Sequence, residues 1–414
     1  INIFYSILIL LFSIFFFGIN KKKLSKLMTF KYPLLENAFS NKDINEAIKV
    51  IKSKRITMSI KTKKFEKKFS SFIKSKYCLM VNSGSSANLL AFFALINPLK
   101  KKKLNKGDEC LVPAVCWSTS LWPIYQAGLK PKFIDVDINT FSPNLKTIKM
   151  NISKKTKAII LINVLGNCSE IDKIRNFANK KKIYLIEDNC ESLGSIYKKK
   201  HLGTFGDFSS FSFYYSHQLS AGEGGMIVCK NKDDYKILQT LRAHGWDREI
   251  TNKKNTFNFI NQGFNLRPLD VSAAIAMSQL GRLNSMIKIR LRNRNKIIMA
   301  LRNSPKWKNQ FTFFNPIKNL NPSWFSIPLL INKNYLKKKK NYLKFLSKNN
   351  VETRPIISGN FLNQPSIKLH KIKFNKKHFQ NAQEIENRGF FIGLPSRPIN
   401  NSQLKKLTNI LLSI

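Results

Sequence analysis

Short apolar runs alternate with segments of helical periodicity through much of the chain, and this alternation constrains the fold more than any other feature. The strand-like runs comprise residues 109–114, 131–136, 158–164 and 183–187. Strands joined by helices run mostly parallel, and helices cover both faces of the sheet. Because binding sites in such sheets gather at the carboxyl ends of the strands, the sequence predicts an α/β fold with its functional side chains there.

The size and charge of the chain narrow the classes of protein. Its 414 residues, 43% of them hydrophobic, suffice for two domains or one large α/β unit. The formal net charge is +49, but the lysines occur in runs along loops and helix faces, which indicates a solvated basic surface and no nucleic-acid partner. Such a surface would still attract a substrate that carries a diphosphate. The six cysteines show no metal-binding spacing, so we expect no bound metal and reduced thiols in a cytoplasmic protein.

Residues 1–27 form a separate apolar and basic segment. Residues 1–19 are almost wholly apolar and lysines occupy positions 21–23, so the segment has the length of a membrane anchor with its lysines on the cytoplasmic side. A cleavable signal fits less well, because no basic residues precede the apolar run and no small-residue cleavage site follows it. We favour a third interpretation, in which the start is assigned upstream of the true one at Met28.

The stretch around His217 is typical of a binding site. An aromatic-rich apolar run at 208–215 predicts a strand, and a polar Ser-His-Gln turn follows it. The glycine-rich residues 222–225 then lead into a second strand at 226–229. This arrangement places the side chain of His217 at the lip of a sheet, where the small residues leave room for a large ligand.

A second candidate site follows the strand predicted at 77–81. Small polar residues occupy positions 82–88 and lead into a helix predicted at 89–95. The free N–H groups and the positive dipole end of such a helix favour an anion. A plain helix cap without a ligand explains the same residues.

Two further candidates follow predicted strands. Trp117 comes after the strand at 109–114, although a lone tryptophan is more often part of a core. Asp188 comes after the strand at 183–187, and Glu191 lies three residues further on. A carboxylate at this position could also serve as a helix cap.

The segment from Ser212 to Gly225 resembles a motif of the sugar aminotransferases that depend on pyridoxal phosphate (PLP), the DegT/DnrJ/EryC1/StrS family. The motif reads S-F-x-x-x-K-x-L-x-x-G-E-G-G, and its fixed positions match here except for the lysine, which is His217. The resemblance extends from Met28 almost to the end of the chain. It implies aminotransferase fold type I, with a mostly parallel seven-stranded sheet in a large domain over residues 28–285 and a smaller α+β domain over 286–414.

The resemblance also implies a set of residues that bind PLP or its amine form, pyridoxamine phosphate (PMP). These residues are Gly84, Ser85, Trp117, Asp188, Glu191, Ser212 and Asn265. In the family, the residues at the positions of Gly84 and Ser85 hold the phosphate and an aromatic ring stacks on the pyridine. The residue at the position of Asp188 pairs with the protonated pyridine nitrogen, which keeps the ring an electron sink.

Other implied contacts involve a second subunit and the substrate. The family residue at the position of Asn265 reaches the cofactor of the partner subunit, so the resemblance implies a homodimer with shared active sites. Arg267 and Arg354 would contact the substrate.

The histidine at the lysine position changes the chemistry that the resemblance implies. Imidazole forms no stable Schiff base, but with a pKa of about 6.5 it is a competent general base. A site with His217 should therefore use PMP and remove the C3 hydroxyl of a nucleotide-linked 4-keto-6-deoxyhexose, instead of transferring nitrogen. L-Glutamate would regenerate PMP, and the product would serve the biosynthesis of deoxysugars in lipopolysaccharide O-antigens.

Two groups within the family carry histidine at this position. One acts on CDP-4-keto-6-deoxyglucose with an iron–sulfur cluster, whose cysteines fall in the segment corresponding to 242–265, where this chain has none. The other acts on GDP-4-keto-6-deoxymannose without a cluster, and we favour that reaction. Gln218 departs from the second histidine that is frequent there, which bears on the tuning of the base. An aminotransferase that uses another lysine and a binding protein without catalysis stay open as alternatives.

Overall fold

The computed structural model describes residues 30–36, 39–251 and 257–414. The apolar and basic segment 1–27 lies outside the described residues. Within the described ranges, no helix combines the length and the apolar character that a membrane span requires.

The strands are short and are distributed over the whole described chain. In chain order they are β1 (Tyr77–Val81), β2 (Glu109–Pro113), β3 (Lys130–Ile134), β4 (Thr156–Ile162), β5 (Tyr184–Asp188), β6 (Ile196–Tyr197), β7 (Lys200–His201), β8 (Phe208–Ser212), β9 (Gly225–Cys229), β10 (Phe311–Phe313), β11 (Leu320–Asn321), β12 (Ile327–Ile331), β13 (Thr353–Arg354) and β14 (Gly389–Ile392).

Helices connect most of these strands. They are α1 (Asn41–Lys52), α2 (Ile60–Ile73), α3 (Gly84–Leu95), α4 (Ser118–Gln126), α5 (Leu145–Asn151), α6 (Ile171–Lys181), α7 (Lys232–Arg242), α8 (Arg248–Thr251), α9 (Asp270–Leu280), α10 (Leu283–Arg302), α11 (Lys339–Lys348), α12 (Pro365–Leu369), α13 (Gln380–Arg388) and α14 (Asn401–Leu411).

The largest sheet has seven strands in the order β1-β9-β8-β5-β4-β2-β3. Strand β9 runs antiparallel to both of its neighbours, and the other neighbouring pairs are parallel. Strand β4 is buried over nearly its whole length, as expected of a strand that helices cover on both faces. The prediction of a mostly parallel seven-stranded sheet is confirmed.

The C-terminal part contains a four-stranded antiparallel sheet in the order β10-β12-β14-β13. One hydrophobic cluster combines buried side chains of the large sheet, such as Val112, with Phe361 and Phe391 from the C-terminal part. The Phe361 N–H also donates to the Ala114 carbonyl oxygen at 2.8 Å. Because the core is continuous there, the domain boundary expected after residue 285 stays a prediction.

Two predicted elements differ from the observed ones. The strand predicted at 208–215 ends at Ser212, and the rings of Tyr214 and Tyr215 are exposed. Aromatic residues have a high strand propensity, but here they belong to the turn that carries the chain to β9. The sequence also predicts one long helix over about 278–302. In the structure this stretch is divided between α9 and α10, because glycine weakens a helix interior and Gly281 follows the last residue of α9.

Candidate active site

The first turn of α3 is tied to the end of β8. Ser83 caps the helix, and its Oγ accepts a hydrogen bond from the Ser86 N–H at 3.1 Å. A Cβ on Gly84 would lie 2.6 Å from the Ser212 Cβ and 2.9 Å from the Cys190 Sγ, so glycine is needed for this close approach. The free N–H groups of the first turn and the positive end of the helix dipole favour a phosphate at this place.

Asp188 is the last residue of β5 and is only 4% exposed. Its Oδ2 accepts hydrogen bonds from the Asn88 Nδ2 and the Ser120 Oγ, both at 2.8 Å, and its Oδ1 accepts one from the Cys190 N–H at 3.1 Å. These donors are neutral, so the carboxylate can still pair with a protonated pyridine nitrogen. Sequence reasoning identified Asp188 but missed both side-chain donors, which lie 100 and 68 residues away in the chain.

The neighbouring carboxylate, Glu187, has a structural role. It is fully buried, and it accepts hydrogen bonds from the backbone N–H groups of Gly203, Phe205 and Gly206. Burial raises the pKa of Glu187, against the lowering effect of these donors. The side chain thereby fixes the connection between β7 and β8.

Trp117 immediately precedes α4 and is 57% exposed, which excludes a place in the core. Its helix is anchored to the site at two points: Ser120 donates to Asp188, and the Thr119 Oγ1 lies 2.8 Å from the Ser85 Oγ. Thus Ser85, Trp117 and Asp188, which were predicted separately, are brought together at the carboxyl ends of β1, β2 and β5. An exposed indole next to a buried carboxylate suits a flat aromatic ligand.

His217 lies in the turn between β8 and β9, where its N–H donates to the Tyr214 carbonyl oxygen at 3.0 Å. The imidazole packs edge-on against the ring of Phe325, with the centroids 5.3 Å apart. The Nδ1 atom is buried and has no hydrogen-bond partner among the described residues. Nε2 is therefore the nitrogen that can exchange a proton with a ligand.

The surroundings of His217 keep its imidazole uncharged. Burial lowers the pKa of His217 to about 4; the Tyr214 carbonyl has a smaller, raising effect, and the positive charge of Arg290 lowers the pKa further. At neutral pH the imidazole is thus free to accept a proton.

The Gln218 side chain anchors the His217 turn to two other segments of the chain. Its Nε2 donates to the carbonyl oxygens of Glu191 at 2.5 Å and Ser323 at 3.1 Å, and its side chain is buried. The Glu191 carboxylate accepts a hydrogen bond from the Leu165 N–H at 2.9 Å, and burial raises the pKa of Glu191 to about 7. Gln218, which departs from the family pattern, therefore joins the His217 turn to the segment after β5.

The remaining predicted residues are exposed and lie apart from His217. Asn265 and Arg267 line a groove of about 840 Å³, and the Arg267 Nε donates to the Asn265 Oδ1 at 3.0 Å. The floor of this groove contains Arg242, a buried side chain with several ion pairs. Arg354 lies on β13 and donates to the neighbouring Thr353 carbonyl oxygen. None of these side chains contacts the residues around Asp188 within the described chain.

The assembled residues fit a pyridoxal-type cofactor. The close approach at Gly84 leaves the helix start open to a phosphate, Trp117 offers an exposed ring face, and Asp188 supplies a buried carboxylate with neutral donors. Lysine is absent from the turn sequence at positions 213–224. Among the described residues, no group of three or more histidine, cysteine and acidic side chains is placed to bind a metal.

Comparison with known proteins shows the same relationship over nearly the whole chain. The profile of the DegT/DnrJ/EryC1/StrS aminotransferase family matches residues 37–410. The GDP-4-keto-6-deoxy-D-mannose 3-dehydratase of Escherichia coli O55:H7 is 36% identical over 374 residues, which cover 87% of this chain and 95% of the relative. The enzyme of the same name from Yersinia pseudotuberculosis is 35% identical over 392 residues, which cover 92% and 98% of the two chains.

Solved structures extend this similarity to the fold. The E. coli GDP-4-keto-6-deoxy-D-mannose 3-dehydratase with bound hydrated PLP superposes with a TM-score of 0.85 at 34% identity, and the match covers 92% of this chain and 100% of that one. A structure of the dehydratase with a trapped PLP–glutamate geminal diamine gives a TM-score of 0.84 at the same identity and coverage. Because the family profile matches residues 37–410 and relatives at 35–36% identity cover most of the chain, the chain belongs to the DegT/DnrJ/EryC1/StrS aminotransferase family.

Proposed function

We propose that the chain is a PMP-dependent 3-dehydratase that removes the C3 hydroxyl of a nucleotide-linked 4-keto-6-deoxyhexose, with L-glutamate as the amino donor. GDP-4-keto-6-deoxymannose is the substrate we favour, because the relatives at 35% and 36% identity are named for it. The observation that carries the proposal is His217, an uncharged imidazole with an available Nε2 in the turn where aminotransferases of the family carry lysine.

The residues of the inner site divide the work of holding the cofactor. The start of α3 at Gly84 and Ser85 would hold its phosphate, together with Ser212, and Trp117 would cover one face of its ring. Asp188 would hold the ring nitrogen in its protonated form. Glu191 would contribute through the position of its carbonyl oxygen, to which Gln218 donates. When bound, PMP supplies an amine that condenses with a ketone and a ring that takes up electrons.

His217 would move the protons of the reaction at its Nε2. Because imidazole cannot replace a lysine amine in a stable covalent bond, the cofactor would be held by the contacts described above alone. An uncharged imidazole can accept a proton at neutral pH and return it later to a leaving group. Overall, the C3 hydroxyl is replaced by hydrogen, so the sugar loses one oxygen, and one glutamate gains one oxygen as it becomes one 2-oxoglutarate and one ammonia.

The exposed residues of the groove support a second part of the proposal, a homodimer with shared sites. Asn265 and Arg267 present their polar groups away from His217 and on the surface. In a dimer related by a two-fold axis, each subunit would present the same pair to its partner. Asn265 would then reach the partner's cofactor phosphate, and Arg267 and Arg354 would contact the sugar nucleotide.

The reaction and its nucleotide can be tested with one panel of substrates. The protein is incubated with PLP, glutamate and the GDP-, CDP- or dTDP-linked 4-keto-6-deoxyhexose, and ammonia, 2-oxoglutarate and the sugar product are measured. We expect equal amounts of ammonia and 2-oxoglutarate with the GDP-linked sugar and a product that lacks its C3 oxygen. A product that keeps the nitrogen would show an aminotransferase and contradict the proposal.

The His217→Asn variant tests the residue itself. It should lose turnover by on the order of 10²- to 10⁴-fold, because proton transfer loses its base, and it should keep its affinity for the cofactor. The matched control is His378→Asn, which changes an exposed histidine far from the turn and should leave turnover unchanged. Loss of cofactor binding in His217→Asn would count against the assigned role.

A further inference from the structure

Arg290 is a buried cation that has no ion-pair partner in the part of the chain that the structure describes. Its side chain is 2% exposed in the middle of α10, and its Nε and Nη1 have no hydrogen-bond partner among the described residues. Arg242 is equally buried, but its guanidinium is paired with Glu66 and Glu249. An unpaired buried charge is strongly disfavoured, so a side chain of this kind indicates a role beyond packing.

The position of Arg290 follows from its neighbours on the same helix. Ile287 and Arg294 lie one turn to either side and share its face. The Ile287 Cδ1 lies 2.5 Å from the place of a Cβ on Gly194, and a Cβ there would also be 3.5 Å from the Ser323 Oγ. The Arg294 guanidinium stacks on the Trp324 ring at 4.3 Å from its centroid. Arg290, between them, therefore faces the segment 323–325.

The segment 323–325 also packs against the His217 turn. The Phe325 ring packs on the imidazole, and the Ser323 carbonyl oxygen accepts a hydrogen bond from Gln218. Several polar atoms in this small region are buried without a hydrogen-bond partner in the described chain. They are the Ser323 Oγ, the Trp324 Nε1, the Gln218 Oε1 and the His217 Nδ1. Arg290 and the imidazole thus lie on either side of a buried segment, and electrostatic interactions between groups shielded from water are strong.

The charged and titratable groups around the imidazole come from three elements. Tyr214 lies on the turn itself, with its ring centroid 5.9 Å from that of His217. Glu191 follows β5 and is joined to the turn through Gln218, and Arg290 belongs to α10. Of these charged side chains, Arg290 is the one that acts on the pKa of the imidazole, and its effect has the same sign as burial.

We propose that Arg290 is a positioning residue for His217, whose buried positive charge lies behind the segment 323–325, adds to the effect of burial and makes the imidazolium a stronger acid once it has formed. This inference rests on the proposed dehydratase function. The proton that His217 has taken up at Nε2 then passes to the departing C3 hydroxyl. The C3–O bond breaks with its electron pair on oxygen, water leaves, and the imidazole returns to its uncharged form. C3 loses one electron pair with the C3–O bond. The pair that takes its place is released by the C–H bond from which His217 took its proton.

The titration of His217 in the holoenzyme measures this coupling without using turnover. The chain has five histidines, so NMR of protein labelled at the imidazole Cε1 gives few signals, and the His217→Asn variant identifies the relevant one. In the wild type, we expect the pKa of His217 to lie well below its ordinary value, at about 4. In Arg290→Met the pKa of His217 should rise by roughly one unit, the effect of one nearby buried charge. Arg290→Lys, which keeps the charge, should restore most of the wild-type behaviour.

A matched control lies one turn along the same helix. Arg294 is also a buried arginine, but it does not act on the pKa of His217, so Arg294→Met should leave the His217 titration unchanged. The pH dependence of kcat/KM gives a second readout. Its acidic limb, where His217 becomes protonated, should move to higher pH in Arg290→Met and back towards the wild type in Arg290→Lys.

Two results would overturn the inference. One is an unchanged His217 pKa in folded Arg290→Met, and the other is an equal rise in Arg290→Met and Arg290→Lys, which would assign the effect to packing. If Arg290→Met does not fold, Arg290→Gln removes the charge and keeps a polar side chain. A failed dehydratase assay with every sugar would reject the proposed function, whereas the NMR titration would still report on the charge coupling.

Discussion

The pocket around Asp188 and the groove around Asn265 differ in how far one chain completes them. Asp188 is buried and receives hydrogen bonds from Asn88, Ser120 and the Cys190 N–H. Asn265 is exposed, and its side-chain oxygen accepts from Arg267, only two residues away. The pocket around Asp188 is therefore preorganised by long-range contacts, whereas the groove around Asn265 presents its polar groups to the outside.

Asp188→Asn should have the largest effect, since it removes the charge and keeps the shape of the pocket around Asp188. We expect cofactor binding to weaken by about 2–5 kcal/mol, or roughly 30- to 5,000-fold, as for a buried hydrogen-bonded charge that loses its partner. The affinity can be measured by absorbance titration with PLP. Glu187→Gln is the matched control, because its donors are backbone groups of the β7–β8 connection. It should lower the free energy of unfolding and leave the cofactor affinity of the folded protein nearly unchanged. Equal cofactor affinity in Asp188→Asn and the wild type would show that the pocket around Asp188 does not bind the cofactor.

Ser120→Ala should have an intermediate effect on the same pocket. It removes one of the two side-chain donors to Asp188, and with it one of the two contacts that anchor α4, the helix after Trp117. We expect the affinity for PLP to fall by about 1 kcal/mol, or roughly 5-fold. Ser118→Ala, two residues earlier on the same helix, is the control and should bind PLP like the wild type. If both variants behave alike, the hydrogen bond to Asp188 does not organise the site.

Asn265→Ala should have the smallest effect, and only in the dimer. The loss of one hydrogen bond to the partner's cofactor phosphate should cost about 1 kcal/mol of binding free energy or less. In protein diluted below the dissociation constant of the dimer, the variant and the wild type should bind PLP equally. The exposed Gln262 of the same segment provides the control, Gln262→Ala. A loss of affinity that persists in the monomer would mean that Asn265 acts within its own chain, contrary to the comparison.

The sequence predicted the parts of the molecule that depend on local pattern. Strand β1 and the position of Asp188 at the end of β5 were predicted correctly, because apolar runs and their ends are visible in the chain itself. The exposed Tyr214 and Tyr215 were assigned wrongly to a strand, because strand propensity does not reveal where a strand ends.

The contacts that organise the site carry no such local signal. Asn88 and Ser120 meet Asp188 only through the fold, and Arg290 reaches the neighbourhood of His217 from a helix more than seventy residues further along the chain. The roles of Asn265, Arg267 and Arg354, the homodimer and the cytoplasmic location stay predictions. These predictions concern a partner subunit, a substrate and a cellular compartment, and the structure of one chain contains none of them.

The proposed function requires His217 to act as a base where related enzymes bind their cofactor covalently through lysine. The most direct test is sodium borohydride reduction of the PLP-loaded protein, followed by measurement of the intact protein mass. For the wild type, we expect the mass of the chain without a cofactor adduct. We expect a pyridoxyl adduct only for His217→Lys. A pyridoxyl adduct on any side chain of the wild-type protein would contradict the proposed function.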